Sequence, residues 1–395
     1  MSPQGRFPII DCDGHVLEPI DIWDRWVEGK HRERAKEACQ VVNLPGGGSR
    51  LRLNGELFPH RTMHSAGTFG IPHDRVAGLG WRPEDLCRGG FDPHARIRDQ
   101  MDPGGIEAAL LFGSMGNQIN GVKDGEILAI MCRGYNRWLS EEYAAAYPDR
   151  LFPIAIVPWH DAPRAREELV WAAERGFLGV KLPAKRLLHD RPVYHDEFMP
   201  LWETAEEAGL VIGVHPSSVD YLPSMADVLL REQHSLPTAS AIVSPLNGLT
   251  TLTHFIYGGV LERCPALKVC VVECHGGWLP FLLDRLDGRY KFAPHDFPHL
   301  KGLPSETFRR QCFVAFMAEE RTTLPLFAEA FQDHIVWGSD YPHLDAEDPS
   351  EIWEVLAPVP QAVRRKILRE NAARLYRLPL ETRAAGRTAR AAGGR

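Results

Sequence analysis

The sequence predicts an α/β protein, a (β/α)8 TIM barrel with an insertion after its first strand. Three observations indicate this fold. Eight short apolar runs recur along the 395 residues, longer amphipathic stretches separate them, and no Gly-x-Gly-x-x-Gly segment follows the first run. Most of the runs are continuously apolar, which is typical of parallel strands covered on both faces. This alternation favours a closed barrel over a doubly wound sheet, and the missing glycine motif weakens the dinucleotide-binding alternative.

The eight runs are the predicted strands of the barrel. In chain order they are FPIIDCDGH (7–15), EAALLFGS (107–114), LFPIAIVPW (151–159), GFLGVKLP (176–183), LVIGVHPS (210–217), LKVCVVECHG (267–276), CFVAFMA (312–318) and HIVWGSDYPH (334–343). Helical patterns lie between them, several of which end in Gly or Pro, as helices commonly do. The clearest helical patterns are 125–150, 162–176 and 197–209.

The stretch between the first two strands departs from this rhythm. Residues 39–59 have the pattern of a hairpin closed by a Gly-rich turn, and a loop rich in Gly and His follows at 60–81. An excursion that starts at the C-terminal end of a barrel strand lies on the catalytic face. We therefore expect 40–95 to be an inserted hairpin and lid region. It belongs to a single domain over 1–380, which a disordered tail over 381–395 follows.

The side chains of the insertion allow two interpretations. Three aromatic residues suggest a pocket with apolar walls, or they form a small core of the insertion itself; they are Phe58, Phe69 and Trp81. Three histidines are expected at the surface or beside the substrate rather than on a metal; they are His60, His64 and His73.

Composition limits the class of protein. A formal net charge of −7 argues against nucleic acid as a main partner. The opening MSPQGRFPII has no signal-peptide pattern, and no window is apolar for long enough to cross a bilayer. The eight Cys are scattered without a regular framework, which indicates reduced thiols. We expect a cytoplasmic protein that acts on a small-molecule substrate and binds neither nucleic acid nor membranes.

Acidic and imidazole side chains stand at the ends of four predicted strands, where barrel enzymes place their chemistry. On the first strand, Asp11, Asp13 and His15 occupy positions i, i+2 and i+4, so we expect them to face the same way. Glu273 and His275 are related as i and i+2 on the sixth strand and should also share a side. The remaining residues of this kind are His215 on the fifth strand and Asp340 and His343 on the eighth.

Each of these residues also has an ordinary structural interpretation. A single His at a strand end is usually a hydrogen-bonded structural residue, and an Asp before a helix is often an N-cap, which applies to Asp11 and Asp340. Together, however, they place His and carboxylate groups on one rim of the barrel. Mixed His and carboxylate ligands are what a divalent transition metal needs, so the convergence predicts a metal site.

The motifs D-x-D-x-H, HPS, VECHGGW and GSDYPH resemble those of the amidohydrolase superfamily. More narrowly, they resemble the amidohydrolase-related family that includes aminocarboxymuconate-semialdehyde decarboxylase and benzoate decarboxylases. The resemblance runs from Pro8 to about Leu378 and implies a barrel of the amidohydrolase type, a metal-dependent activity and a homodimer. The metal ligands that it implies are Asp13, in place of the usual His, with His15, His215 and Asp340.

The resemblance also implies roles for three further residues. His275 falls on the family's catalytic histidine, and Glu273 on a position where a Glu is familiar in this subgroup. Lys181 falls where binuclear relatives carry a carboxylated lysine, and we interpret it as an ordinary lysine that contacts a substrate carboxylate or a neighbouring acid.

Two reactions fit these residues equally well. For hydrolysis, a metal lowers the pKa of bound water to about 7, Asp340 takes a proton as general base, and His275 protonates the leaving group. For nonoxidative decarboxylation, the metal anchors a substrate carboxylate, and His275 protonates the carbon that loses carbon dioxide. Zinc, manganese or iron suits either reaction.

The number of candidate ligands leaves a third reaction open. A mononuclear site needs about four protein ligands, and here there are six: Asp13, His15, His215, Glu273, His275 and Asp340. Six are enough for two metals, and the set is similar to that of a few amidohydrolase-fold diiron monooxygenases that hydroxylate natural-product intermediates. Alternatively, Glu273 orients a ligand His without touching the metal.

Overall fold

In the computed structural model, eight parallel strands form a nearly closed barrel, which confirms the predicted fold. The structure describes residues 6–57, 66–76, 78–184, 191–216 and 236–379. The barrel strands are β1 (Ile9–Val16), β2 (Ile106–Gly113), β3 (Leu151–Ile156), β4 (Gly179–Pro183), β5 (Val211–His215), β6 (Lys268–Val271), β7 (Cys312–Phe316) and β8 (Ile335–Trp337).

Each strand pairs with its neighbour in the chain, so the sheet order is β1 to β8. Hydrogen bonds beyond the end of β8 close the ring against β1: the amide of Asp340 donates to the carbonyl of Asp13 (2.8 Å), and the amide of His15 donates to the carbonyl of Tyr341 (2.7 Å). Both bonds lie at the C-terminal ends of the strands and therefore join the two segments that carry predicted ligands.

Helices separate the strands, as the amphipathic patterns predict. The three clearest patterns contain the helices Gly125–Trp138, Ala162–Glu174 and Met199–Ala208. The others are Ile22–Trp26, Arg32–Ala38, His73–Val76, Arg88–Phe91, Pro93–Arg96, Asp102–Gly104, Leu236–Tyr257, Val260–Arg263, Leu279–Phe292, Pro304–Gln311, Thr323–Phe327, Pro349–Val355, Gln361–Arg365 and Asn371–Leu375. Within the described ranges, no helix is both long and apolar enough to cross a membrane.

Two apolar clusters make up the core. The larger one packs the helices against the outside of the strands. The smaller one consists of alternate strand residues, among them Ile10, Cys12, Leu110 and Phe112, with Tyr376 after the last helix packed against them. Alternation of this kind is expected when one face of a sheet lines a barrel interior and the other faces helices.

The excursion after β1 contacts the end of the barrel that carries the strand C-termini. A hairpin pairs Cys39–Asn43 with Ser49–Leu53, followed by the short strand Glu56–Leu57. The indole of Trp81 donates to the carbonyl of Glu18, and the amide of Phe69 donates to the carbonyl of Pro342. The single domain and the lid remain predictions. Phe58, His60, His64 and the tail 381–395 lie outside the described residues.

Candidate metal centre

A bulge in β1 separates the roles of its three polar residues. Between Asp11 and Gly14 the register with β2 shifts by one residue, and such a shift re-aims the side chains on either side of it. The carboxylate of Asp11 accepts hydrogen bonds from the amide and the hydroxyl of Ser339. Asp13 and His15 instead enter the ligand group described next. The expectation that all three residues face the same way is therefore wrong for Asp11.

Four predicted ligands come together in one group, in which all but Glu273 are buried. One atom from each of Asp13, His15, His215 and Glu273 lies within 4.8 Å of the others. The Nε2 atoms of His15 and His215 are 3.1 Å apart, and Oδ1 of Asp13 is 3.3 and 3.4 Å from them. Oε2 of Glu273 lies 3.2 Å from Nε2 of His215. The structure thus brings together residues from β1, β5 and the segment after β6.

The hydrogen bonds of the two imidazoles show that this group fits a cation. Nδ1 of His15 lies 3.3 Å from the carbonyl of Gly113, and Nδ1 of His215 lies 2.7 Å from the carbonyl of Pro216. When the nitrogen that faces the carbonyl carries the only ring proton, each imidazole presents the lone pair of its Nε2 to the other. Oδ1 of Asp13 has no hydrogen-bond donor beside it. Electron pairs gathered in a buried space need a positive ion between them, and a divalent metal suits this donor set.

Asp340 and His343 extend the site on the other side of His15. His15, Asp340 and His343 form a second group of ligand atoms within 4.8 Å. Oδ1 of Asp340 lies 3.3 Å from Nε2 of His15 and 2.8 Å from Nδ1 of His343. Asp340 is 1% exposed, and neither of its carboxylate oxygens has a hydrogen-bond partner. The sequence leaves the role of His343 open, and the structure places it beside this carboxylate.

His275 lies apart from both groups. Its Nε2 is 3.2 Å from Oε1 of Glu319, and its Nδ1 is 3.8 Å from Oε2 of Glu320. The strand β6 ends at Val271, so Glu273 and His275 are not on a strand, and their side chains reach different partners. The expectation that they share a side is wrong because the extended backbone ends two residues before Glu273.

Three of the predicted site residues have positive φ angles. The values are +51° for Glu273, +54° for His275 and +57° for Asp340. Residues other than Gly rarely adopt this region, and where they do the surrounding structure must hold them there. The backbone thus turns sharply at the ends of β6 and β8, which directs these side chains.

Burial and neighbouring charges shift the pKa values of the residues in these groups. Burial, reinforced by neighbouring charges that include Asp13, raises the pKa values of Glu273 and Asp340 well above their usual range. Burial, together with His343, lowers the pKa of His15 to about 3, so its ring is neutral at pH 7. Burial opposes ionisation of Asp13 too, but the neighbouring imidazoles of His15 and His215 lower its pKa. A metal would neutralise these crowded carboxylates.

The structure adds Ser114 and Asn117, which the sequence did not single out, and gives a contact of Lys181. Oγ of Ser114 is 2.9 Å from Nε2 of His343, and Nδ2 of Asn117 is 3.3 Å from Nδ1 of His215. The ammonium group of Lys181, 1% exposed, donates to the carbonyl of Asn117. Ser114 follows β2, and Glu319 and Glu320 follow β7. Polar residues at these two strand ends are the signal in the sequence, but these ends carry no His and no recognised motif.

Comparison with known proteins agrees with this architecture. Gamma-resorcylate decarboxylase of Rhodococcus jostii (strain RHA1) is 25% identical over 290 residues, which are 70% of this chain and 85% of that protein. The crystal structure of amidohydrolase map2389c from Mycobacterium avium subsp. paratuberculosis K-10 superposes with a TM-score of 0.77 at 24% identity, covering 94% of this chain and 99% of that one.

A third relative contains a metal. The structure of a dihydroxybenzoic acid decarboxylase from Polaromonas sp. JS666, with bound manganese and the inhibitor 2-nitroresorcinol, has a TM-score of 0.63 at 21% identity and covers 94% of this chain and 98% of that one. The family model described as amidohydrolase matches residues 10–378, nearly the whole described chain. The chain belongs to the amidohydrolase family and is an enzyme of the hydrolase or carboxy-lyase type.

Proposed function

We propose that this enzyme is a metal-dependent, nonoxidative decarboxylase of a small aromatic acid that bears an oxygen substituent next to its carboxylate. The observation that carries the proposal is the buried group in which two imidazole lone pairs and the carboxylates of Asp13 and Glu273 converge. The substrate class is supported by the Rhodococcus and Polaromonas relatives, whose names specify decarboxylases of hydroxylated benzoates.

Three residues would hold the metal, Asp13, His15 and His215, and Oδ1 of Asp340 lies beside them, 3.3 Å from Nε2 of His15. The ion would supply positive charge that anchors the substrate carboxylate and its neighbouring oxygen. Manganese is our first candidate because the Polaromonas enzyme contains it, with zinc and iron as alternatives. Glu273 lies against His215 and either joins the ligands or orients that ring.

The proposed acid is His275. Decarboxylation breaks the bond between the ring carbon and the carboxylate, leaves the electron pair on the ring carbon, and requires one proton there. His275 is suited to give that proton because its ring lies outside the ligand groups, so it would not be bound to the metal, and its side chain is 23% exposed. The carboxylate of Glu319, 3.2 Å from Nε2, is placed to orient the ring. Hydrolysis by the same residues is the competing reaction, with Asp340 as the base.

The test uses protein loaded with Mn2+ and a panel of ortho-hydroxylated benzoates, with carbon dioxide release as the readout. We expect turnover of at least one member. His275→Asn should lower kcat by about 10^2- to 10^4-fold with bound metal unchanged, as expected for loss of a general acid. Asp340→Asn should lose metal and turnover together. Hydrolysis of aryl esters without carbon dioxide release from any acid would overturn the proposal in favour of a hydrolase.

A second candidate is a diiron monooxygenase. The specific observation in its favour is that the ligand atoms form two groups sharing His15, which gives the site an elongated shape. Two irons per chain after purification, together with oxygen consumption in the presence of a reductant, would favour this function over decarboxylation. One manganese or zinc per chain would oppose it.

The predicted homodimer and the cytoplasmic location are also proposals. Light scattering of the purified protein tests the first, and fractionation of the source cells tests the second. A monomer in solution would contradict the homodimer.

A further inference from the structure

The two groups of ligand atoms are too extended for one ion. Ligand atoms at about 2.0 to 2.2 Å from a single metal lie within roughly 4.4 Å of one another. Asp340 and His343 fall into a group with His15 but not with His215 and Glu273, even when separations up to 4.8 Å are allowed. An ion bound between His15, His215 and Asp13 would therefore leave His343 outside its coordination sphere.

The contact between His343 and Asp340 is not that of a hydrogen-bonded pair. Nδ1 of His343 lies 2.8 Å from Oδ1 of Asp340, yet this oxygen has no hydrogen-bond partner, so the contact does not have the geometry of a hydrogen bond. The second oxygen of Asp340 also has none, although the residue is 1% exposed. A buried carboxylate with both oxygens unpartnered needs a cation nearby.

Ser114 accounts for the orientation of the imidazole. Its hydroxyl lies 2.9 Å from Nε2 of His343, on the side of the ring opposite to Asp340. When Nε2 carries the proton and donates it to this hydroxyl, Nδ1 presents its lone pair to the space beside Asp340. A ligand histidine commonly has its second nitrogen fixed in this way.

We propose that His343 is a metal ligand through Nδ1, and that with Asp340 it forms a second divalent-cation position beside the one held by Asp13, His15 and His215. Ser114 is its positioning residue. The inference rests on the proposed function only in taking the first group as a metal site, and it applies to either reaction considered above.

The experiment counts ions rather than turnover. Metal-free full-length protein is dialysed to equilibrium against increasing Mn2+, and bound manganese is measured per chain. We expect the wild type to saturate at two ions and His343→Leu at one. Ser114→Ala should weaken the second ion by about 10- to 100-fold without changing the first.

A matched control removes a histidine at the other end of the barrel. His334 immediately precedes β8, and its Nδ1 contacts the carbonyl of Cys312. His334→Leu should therefore still bind two ions. Electron paramagnetic resonance of the wild type gives a readout that needs no variant, since two neighbouring Mn2+ ions couple and broaden the six-line signal of an isolated ion.

The possible outcomes are distinct. Saturation of the wild type at one ion, or two ions in His343→Leu, overturns the inference. One ion with carbon dioxide release would uphold the proposed function and reject the second position. Two ions without any decarboxylation would uphold the second position and reject the proposed function.

Discussion

Asp11 and Asp13 show how far the role of a carboxylate depends on its immediate partners. Both are buried and only two residues apart, but Asp11 accepts two hydrogen bonds from Ser339 whereas Oδ1 of Asp13 accepts none. A satisfied carboxylate is a structural element, and an unsatisfied one in the same environment is available to a metal. Asp11 thus has a structural role, as the N-cap interpretation implied, but its partner is Ser339.

Arg96 places a buried positive charge against the two segments that carry candidate ligands. It is fully buried, and its guanidinium donates to the carbonyls of His15 and Tyr341, which belong to the two ligand segments. Its positive charge also opposes the effect of burial on the pKa of Asp11. The sequence offers no periodic or motif signal for such a residue, because its role depends on contacts between segments that are far apart in the chain.

Glu18 gives a prediction about pH. The residue is 1% exposed, its carboxylate accepts the amides of Met115 and Gly116, and burial raises its pKa from 4.5 to about 7. The fold therefore favours the protonated form, and its stabilising effect is complete below about pH 4.5 and lost as pH rises through 7. The free energy of unfolding should fall by up to about 3 kcal/mol from this group across that range.

Urea unfolding of the wild type and Glu18→Leu at pH 5 and pH 8 measures this effect. The wild type should exceed the variant in stability by more at pH 5 than at pH 8. An equal difference at both values would show that Glu18 titrates near its ordinary pKa in the folded protein.

At the level of elements, strand ends were harder to predict than strands. All eight strands coincide with apolar runs, because burial on both faces leaves a strong compositional pattern. The run around β6 extends five residues further than the strand itself, which ends at Val271. Apolar composition shows that a segment is buried, but it does not distinguish extended backbone from the positive φ angles of Glu273 and His275.

The turn after β6 leads to a prediction about Gly276. A Cβ built at this position would overlap the ring of Phe316, and the amides of Gly276 and Gly277 both donate to Oε1 of Glu320. Gly276→Ala should therefore displace the turn and reduce stability by about 1–3 kcal/mol. Adding Phe316→Leu should recover part of the loss, because the smaller side chain makes room.

A double-mutant cycle measured by unfolding tests this coupling. Gly288→Ala is the matched control: it lies in the helix Leu279–Phe292 with open space at its Cβ, so it should leave stability unchanged or raise it slightly. Strictly additive effects of Gly276→Ala and Phe316→Leu would mean that the steric contact does not limit the turn.

Across the whole molecule, the resemblance predicted the family and fold, while geometry decided how the site residues group. Asp13, His15, His215 and Glu273 come together, whereas His275 contacts Glu319. Strand-end position alone cannot make this distinction, because it gives the rim on which a residue lies and not the direction of its side chain. His343 was visible in the sequence, but its role depends on Ser114, more than two hundred residues away.

Metal removal should affect the stability of the entire barrel. The candidate ligands come from β1, β5 and the segments after β6 and β8, so bound metal would join segments of four strands and supply the counter-charge to their carboxylates. A ligand at 100 times its dissociation constant stabilises a protein by about 2.7 kcal/mol. We therefore expect a chelator to lower Tm by several degrees and Mn2+ to restore it.

Thermal melting with and without the chelator measures the change. Asp340→Asn should show a smaller shift on adding Mn2+, since it removes one ligand. Identical melting curves for the metal-free and manganese-loaded wild type would contradict a metal that connects the strands.

The closure of the barrel also has a consequence for biosynthesis. The hydrogen bonds between Asp11 and Ser339 join residues 328 positions apart in the chain, so they form only after nearly all of the protein has left the ribosome. Until then, the nascent polypeptide carries Asp13 and His15 without Asp340. The set of candidate ligands is therefore complete only after the last strand has been synthesised, and a prematurely terminated product without this strand would lack Asp340 and His343.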